Sequence, residues 1–162
     1  MKAVSRMGRL AYALALAVAV LDQLSKSWVV GALDGIRRSS LDVWGPLRLT
    51  LVLNGGVSFG LLQGDGSWGR WVLAFFEMAV VVFLAVWVRR ADRLLSGLAV
   101  GLIMGGALGN VLDRLRFGYV VDFIDVHRLF FPWVFNLADS AITVGVALLL
   151  AENLILPRKA EI

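Results

Sequence analysis

The stretch Leu94–Leu112, LLSGLAVGLIMGGALGNVL, carries no charged side chain. It approaches the roughly 20 apolar residues that a helix needs to cross a bilayer. Gly97, Gly101, Gly105 and Gly109 recur in it at every fourth position. On a helix that spacing places all four on one face, and a stripe of small residues lets a neighbouring helix come close in lipid. The segment therefore reads as a membrane span pressed against a partner, a packing that also decides where Asn110 points.

Three more segments read the same way. Leu10–Val30 carries only Asp22 and Lys26, Trp71–Val88 only Glu77, and Leu129–Ala151 only Asp139. The composition agrees: of 162 residues 59% are hydrophobic and 17% charged, and mean hydropathy is +0.80. A soluble domain has roughly 25% charged residues, and a disordered chain is poor in apolar ones. The expected fold is an all-α integral membrane protein of four transmembrane helices, a single domain over residues 1–162. Lys2, Arg6 and Arg9 before an uncharged run also resemble a secretory leader. No clear small-x-small cleavage site precedes Asp22, and three further spans follow, so span one is favoured.

The net charge is +4 and the pI about 10.1. Here the basic residues flank apolar runs, which points to a membrane surface and not to nucleic acid. Lys2, Arg6 and Arg9, then Arg89, Arg90 and Arg93, then Arg158 and Lys159 fall on one side of a four-span chain. That side is expected to be cytoplasmic, with both termini on it. Arg37, Arg38, Arg48, Arg70, Arg114, Arg116 and Arg128 lie on the other side or at span ends, so the short Arg-rich link tips the balance, not the raw count.

Between spans one and two, Leu47, Leu49, Leu51 and Leu53 alternate with Arg48, Thr50, Val52 and Asn54. A period of two predicts a strand with one apolar face, ended by Gly55, Gly56 and Gly60. Trp44, Phe59 and Trp68 suit a membrane interface. A small extracytoplasmic β-rich element over about residues 41–62 is expected to rest on the outer leaflet.

Ionisable groups inside spans are costly and flag function. Asp22 and Asp139 each lie about 18 Å from the cytoplasmic end of their span, and Asn110 about 24 Å, at 1.5 Å per residue. All three converge on the outer part of a core roughly 30 Å thick. Asp22 and Lys26 share a helix face as an i,i+4 pair, although mutual neutralisation at a helix end explains the pair as well. Asn110, Asp113 and Arg114 share a face, as do Asn136 and Asp139. For Asp113 a helix end meeting water is an equally good reading. Glu77 has no evident partner.

The chain has no Cys, which removes thiol chemistry, and one His, His127, which cannot build a His-rich metal site. No Gly-x-Ser-x-Gly surrounds a serine, and Ser25 and Lys26 are adjacent and do not face each other. Carboxylates remain, best of all Asp122 and Asp139. Two Asp side chains sharing a site cannot easily both ionise, so one holds a proton while the other activates water.

Around these residues the sequence closely resembles the lipoprotein signal peptidase family (signal peptidase II), bacterial inner-membrane aspartyl proteases. The blocks are DQLSK at Asp22–Lys26, NGGVSFG at Asn54–Gly60, GGALGNVLDRLRFGYVVDF at Gly105–Phe123 and FNLADS at Phe135–Ser140. The resemblance implies Asp122 and Asp139 as the catalytic pair. It implies Asp22, Lys26, Asn54, Gly56, Asn110, Arg114, Asn136 and Ala138 as the surroundings that support them or bind substrate. Among these, Asn54, Asn136 and Arg114 are candidates for fixing peptide carbonyls or orienting the carboxylates. The loop from Asp34 to Leu41 matches no block. The implied activity is cleavage of the signal peptide just before the lipidated Cys of a prolipoprotein. The expected partners are prolipoproteins with a diacylglyceryl-Cys lipobox and membrane lipids. No nucleic acid, cofactor or metal is expected, and the enzyme is expected to act as a monomer.

Two rival functions fit the residues less well. A proton or solute relay through Asp22, Lys26 and Asp139 should continue across the bilayer, yet the cytoplasmic halves of the spans are apolar apart from Glu77 and residues near the ends. An assembly subunit held by the Gly stripe leaves the clustered Asp residues unexplained.

Overall fold

The computed structural model describes residues 3–34, 40–56 and 68–155. Four helices dominate it: α1 (Arg6–Asp34), α2 (Trp68–Val88), α3 (Leu94–Phe117) and α4 (Leu137–Ile155). All four are long and apolar enough to cross a membrane. Strands β1 (Ser40–Trp44) and β2 (Leu47–Asn54) lie between α1 and α2. Strands β3 (Val120–Asp125) and β4 (Val134–Phe135) lie between α3 and α4, separated by a short 3₁₀ turn, His127–Leu129. Together they form one antiparallel sheet in the order β1-β2-β3-β4.

The sheet corrects the expectation of a β element confined to the link between helices one and two: half of its strands come from the link between α3 and α4. The start of span four is corrected too. The apolar run from Leu129 is not helical until Leu137. Its first part, interrupted by Pro132, forms the 3₁₀ turn and β4, since proline cannot sit within a helix without losing a bond and clashing. Of the loop expected over 41–62, residues 57–62, with Phe59 and Gly60, lie outside the described residues, as do residues 35–39 between α1 and β1.

Helix α3 is the centre of the bundle. Its residues from Ser96 to Arg114 include fifteen buried positions, whereas α1, α2 and α4 leave rows of large apolar side chains exposed. Leu16, Val20, Leu24 and Trp28 on α1 and Phe75, Phe76, Val82 and Phe83 on α2 are such rows. Exposed apolar stripes of this extent suit lipid contact. The Gly stripe faces α1. A Cβ on Gly105 would lie 2.6 Å from Val18 Cβ and 2.7 Å from the Ala15 carbonyl oxygen, and one on Gly101 would lie 2.9 Å from the Ala11 carbonyl oxygen. A second close approach, absent from the sequence reading, uses Gly106 against the Ala138 carbonyl and Gly145 against the Ala99 carbonyl, and seats α4 on another face of α3.

Both ends of the bundle are tied. At the end near the termini, the Ser5 amide donates to the Arg89 carbonyl and the Ser5 hydroxyl caps α1 through the Gly8 amide. There Ser96 donates to Glu152 at 2.6 Å, joining the start of α3 to the end of α4. At the other end α3 stops at Gly118, whose φ of 83° is a left-handed C-cap, and the chain turns straight into β3.

Gly105→Leu places a branched side chain where backbone already stands. Overpacking of this kind costs about 1–3 kcal/mol even where the surroundings can shift. A melt in detergent should show clear destabilisation, with Gly101→Leu close behind; wild-type melting for both would mean that the stripe does not set the α1–α3 contact.

Candidate active site

The polar groups cluster where the sheet meets the ends of α1, α3 and α4. All four quoted blocks contribute residues there, because α1 and α3 pack at glycine distance, β3 leaves α3 at once, and β2 pairs with β3.

Lys26 is the middle of one group. Its Nζ lies 2.8 Å from Asp22 Oδ2 and 2.8 Å from Asp113 Oδ2, and it donates to Asn110 Oδ1 at 3.3 Å. All four side chains are buried. The i,i+4 pair of Asp22 and Lys26 is therefore real, but it is one edge of a triad. Asp113 is no helix end meeting water, and that reading is overturned: its carboxylate also accepts from the Val121 amide at 3.1 Å and from Gln23 Nε2 at 2.7 Å. Gln23 went unnoticed as a site residue, although it lies inside the block DQLSK.

Asp22 Oδ1 accepts from the Ala138 amide at 3.0 Å. Ala138 thus contributes its backbone, and its small side chain lets α4 sit against Gly106. A carboxylate here satisfies an amide that a helix start leaves unpaired and meets the positive end of the helix dipole. A Cβ on Gly109 would touch Asp22 Oδ2 at 2.5 Å, so the last glycine of the stripe makes room for this carboxylate.

Asn136 and Asp139 are expected on one face in the outer part of span four. The helix begins only at Leu137, so the two stand at its start, where they form a reciprocal cap. The Asp139 amide donates to Asn136 Oδ1 at 2.8 Å, and the Asn136 amide donates to Asp139 Oδ2 at 3.3 Å. The Asn136 side-chain amide then donates to Asp122 Oδ1 at 2.7 Å. The other Asp122 oxygen, Oδ2, accepts from Asn54 Nδ2 at 2.9 Å, and Asn54 Oδ1 accepts from the Gly56 amide, where φ is 102°. Asp139 Oδ1 accepts from Asn110 Nδ2 at 2.9 Å. Both carboxylates are therefore oriented by neutral amides, with Lys26 one residue further away.

Asp122 is buried while Asp139 is half-buried. Burial pushes the Asp122 carboxyl up to about 6; Asn54 and Asn136 oppose this, and the nearby Asp139 adds to it. Asp125 contrasts with it on the same strand. Burial would raise its carboxyl, yet donors from Thr50, the His127 amide and the His127 ring outweigh that and bring it to about 2. The stability it contributes is complete above the ordinary aspartate range and is lost as pH falls through about 2.

A bulge places Asn54. The β2–β3 register shifts between Leu49 and Val52, so β2 spends one more residue than β3 there. Without it every later β2 side chain would change face, and Asn54 would turn away from Asp122. The same bulge ends the apolar alternation: Leu49 is buried but Leu53 is exposed.

Arg114 does not act on the carboxylate pair directly. Its Nη1 donates to both Glu77 oxygens, at 2.9 and 2.8 Å. Asn110, Asp113 and Arg114 thus serve three neighbours, α4, α1 and α2. Glu77, without a partner in the sequence reading, is the partner of Arg114.

The comparisons fit this geometry. The family model described as Signal peptidase (SPase) II matches residues 14–155. A lipoprotein signal peptidase of Caulobacter vibrioides is 56% identical over 151 residues, 93% of this chain and 89% of its own. One from Methylorubrum extorquens is 43% identical over 140 residues, 86% and 82% of the two chains. Two solved bacterial membrane enzymes share the fold. The first has a TM-score of 0.79 at 27% identity over 98% of this chain and 99% of its own, and the second 0.76 at 26% over 100% and 98%.

Lys26→Met strips two buried carboxylates of their cation. Breaking a buried pair from one side costs about 3–5 kcal/mol. Thermal melting in detergent should register a loss of that size, well beyond that of an exposed Lys; a melt within a degree of wild type would mean that the triad holds nothing together.

Proposed function

The chain belongs to the signal peptidase II family, and from that premise we propose that Asp122 and Asp139 cut the signal peptide from diacylglyceryl-modified prolipoproteins just before the lipidated Cys. Membership makes it a multi-pass membrane peptidase that processes lipoproteins. The observation that carries the finer reading is the pair of carboxylates, each held by neutral amide donors at the mouth of α4.

One carboxylate takes a proton from water as the water oxygen attacks the scissile carbonyl, and the protonated partner gives its proton to the carbonyl oxygen. The resulting diol collapses, the C–N bond breaks, and a proton passes to the leaving nitrogen, which becomes the free amine of the lipidated Cys. The water oxygen stays on the new carboxyl end of the signal peptide. This needs one ionised and one neutral carboxyl, which two Asp residues sharing a site supply. The rise of Asp122 to about 6 supports it, since a proton is then held near working pH. Asn54, Asn136, Asn110 and Gly56 position the pair; Asp22, Lys26 and Ala138 hold α4 against α1.

The site lies at the bundle end away from the first and last described residues. We place that end at the outer leaflet of the inner membrane, with both termini cytoplasmic and the sheet outside, because the short Arg-rich turn after α2 lies on the termini side. The exposed Trp44, Trp68, Trp71 and Trp133 suit an interfacial belt there. Acyl chains would then lie along the apolar helix faces beside the site. A monomer suffices, since both carboxylates come from one chain.

Reporter fusions at Arg90 and after Arg158 should read cytoplasm, and one near Gly64 should read outside; the reverse at Gly64 would overturn the orientation.

Asp122→Asn and Asp139→Asn should each abolish processing of a lipid-modified precursor by purified protein while the melt stays cooperative. Asn keeps the shape but cannot exchange the proton. The double variant should be about as inactive as either single one, because the pair works as a unit. Asp22→Asn should lose less activity. Near-normal cleavage by folded Asp139→Asn would remove the assignment.

A further inference from the structure

Glu77 is the one carboxylate on α2, and it stands on the side of that helix turned to the site. Arg114 Nη1 meets both of its oxygens, and the pair is largely buried, at 19% and 9% side-chain exposure. Such a contact fixes a guanidinium more firmly than an exposed pair would. The Arg114 Nε is buried with no hydrogen-bond partner among the described residues. Buried donors are ordinarily satisfied, so an idle one beside a site is a group awaiting an acceptor. The charged groups acting on Glu77 are Arg114 from α3, Asp139 from α4 and Lys26 from α1. Asp122 of β3 in turn acts on Asp139.

We propose that Glu77 is a positioning residue for the reaction: it clamps Arg114 so that the free guanidinium edge can take a peptide carbonyl of the substrate, and it balances the Arg114 charge beside Asp139. The inference rests on the Asp122–Asp139 reading. Without Glu77, the Arg114 charge would stand uncancelled on the side of α2 where Glu77 interacts with Asp139, and it would favour the doubly ionised state that cannot donate a proton. Glu77 cancels that charge at a distance where Asp139 would feel it. An Arg held only by its own stem would also lose side-chain freedom on binding substrate, a cost that the clamp removes in advance.

The test uses the full-length protein in detergent and a diacylglyceryl-modified precursor peptide. Glu77→Gln keeps the shape and drops the charge. Both limbs of the pH profile of kcat/KM should move to lower pH by roughly half a unit or more. KM for the precursor should rise several-fold, with kcat at the new optimum within about twofold. Glu77→Asp keeps the charge but shortens the reach, so its profile should stay in place while KM rises. A plain helix staple would lower the melting temperature and leave profile and KM alone; that result overturns the inference. If Glu77→Gln fails to fold, Glu77→Asp decides, since an unchanged KM there also overturns it. Wild-type protein that does not process the peptide, or Asp122→Asn that does, overturns the catalytic reading itself, a failure distinct from an unmoved Glu77→Gln.

Discussion

Lys26 is a cation held away from water, and most of the site follows from what that requires. An ammonium in such surroundings must be paired and hydrogen-bonded or it destabilises the fold. Asp22 and Asp113 supply the pairing, one from the same helix and one from α3. Each of those carboxylates then has an oxygen with capacity left. Asp22 spends it on the start of α4 through the Ala138 amide, and Asp113 on β3 through the Val121 amide. One buried charge therefore ties together α1, α3, α4 and β3. Asp122 follows Val121 directly, and Asp139 follows Ala138 directly.

The geometry of those ties depends on how near the helices come. Gly101 and Gly105 bring α3 within backbone distance of α1, and Gly109 leaves the space that Asp22 fills. Gly106 and Gly145 do the same toward α4. In lipid there is no hydrophobic drive to hold helices together, so close packing and internal hydrogen bonds must do it. A glycine-faced helix with polar side chains at one end uses both.

The two carboxylates differ from the triad in the donors they meet. Asp22 and Asp113 face an ammonium, whereas Asp122 and Asp139 face the amides of Asn54, Asn136 and Asn110 and a backbone amide. Neutral donors fix orientation without forcing full ionisation, so a carboxyl among them can still exchange a proton. Asp125 shows the opposite case three residues along: it is buried as well, but donors from Thr50, the His127 amide and the His127 ring outweigh that burial, and it stays ionised far into acid.

Four helices, the β2 strand, the Gly stripe and the Asp22–Lys26 pair were legible in the sequence, because each is a local pattern of period or spacing. The blocks around Asp122 and Asp139 marked residues that the fold brings together, without their geometry. What a local pattern cannot carry is which side chains meet across elements. Leu129–Phe135 is as apolar as a span, yet it is a turn and a strand, since Pro132 and pairing with β3 outweigh hydropathy. Asp113 and Glu77 looked like a solvated end and a lone charge, because their partners lie in other helices, at Lys26 and Arg114. The β2 bulge that turns Asn54 toward Asp122 exists only against β3. Sequence by itself determined the membrane class and the residue types available for chemistry, since burial of apolar surface and the cost of charge in lipid depend on composition and period. Tertiary structure alone decided which carboxylates meet amides and which meet a cation, because that depends on helices brought to glycine contact and on a sheet assembled from two distant links.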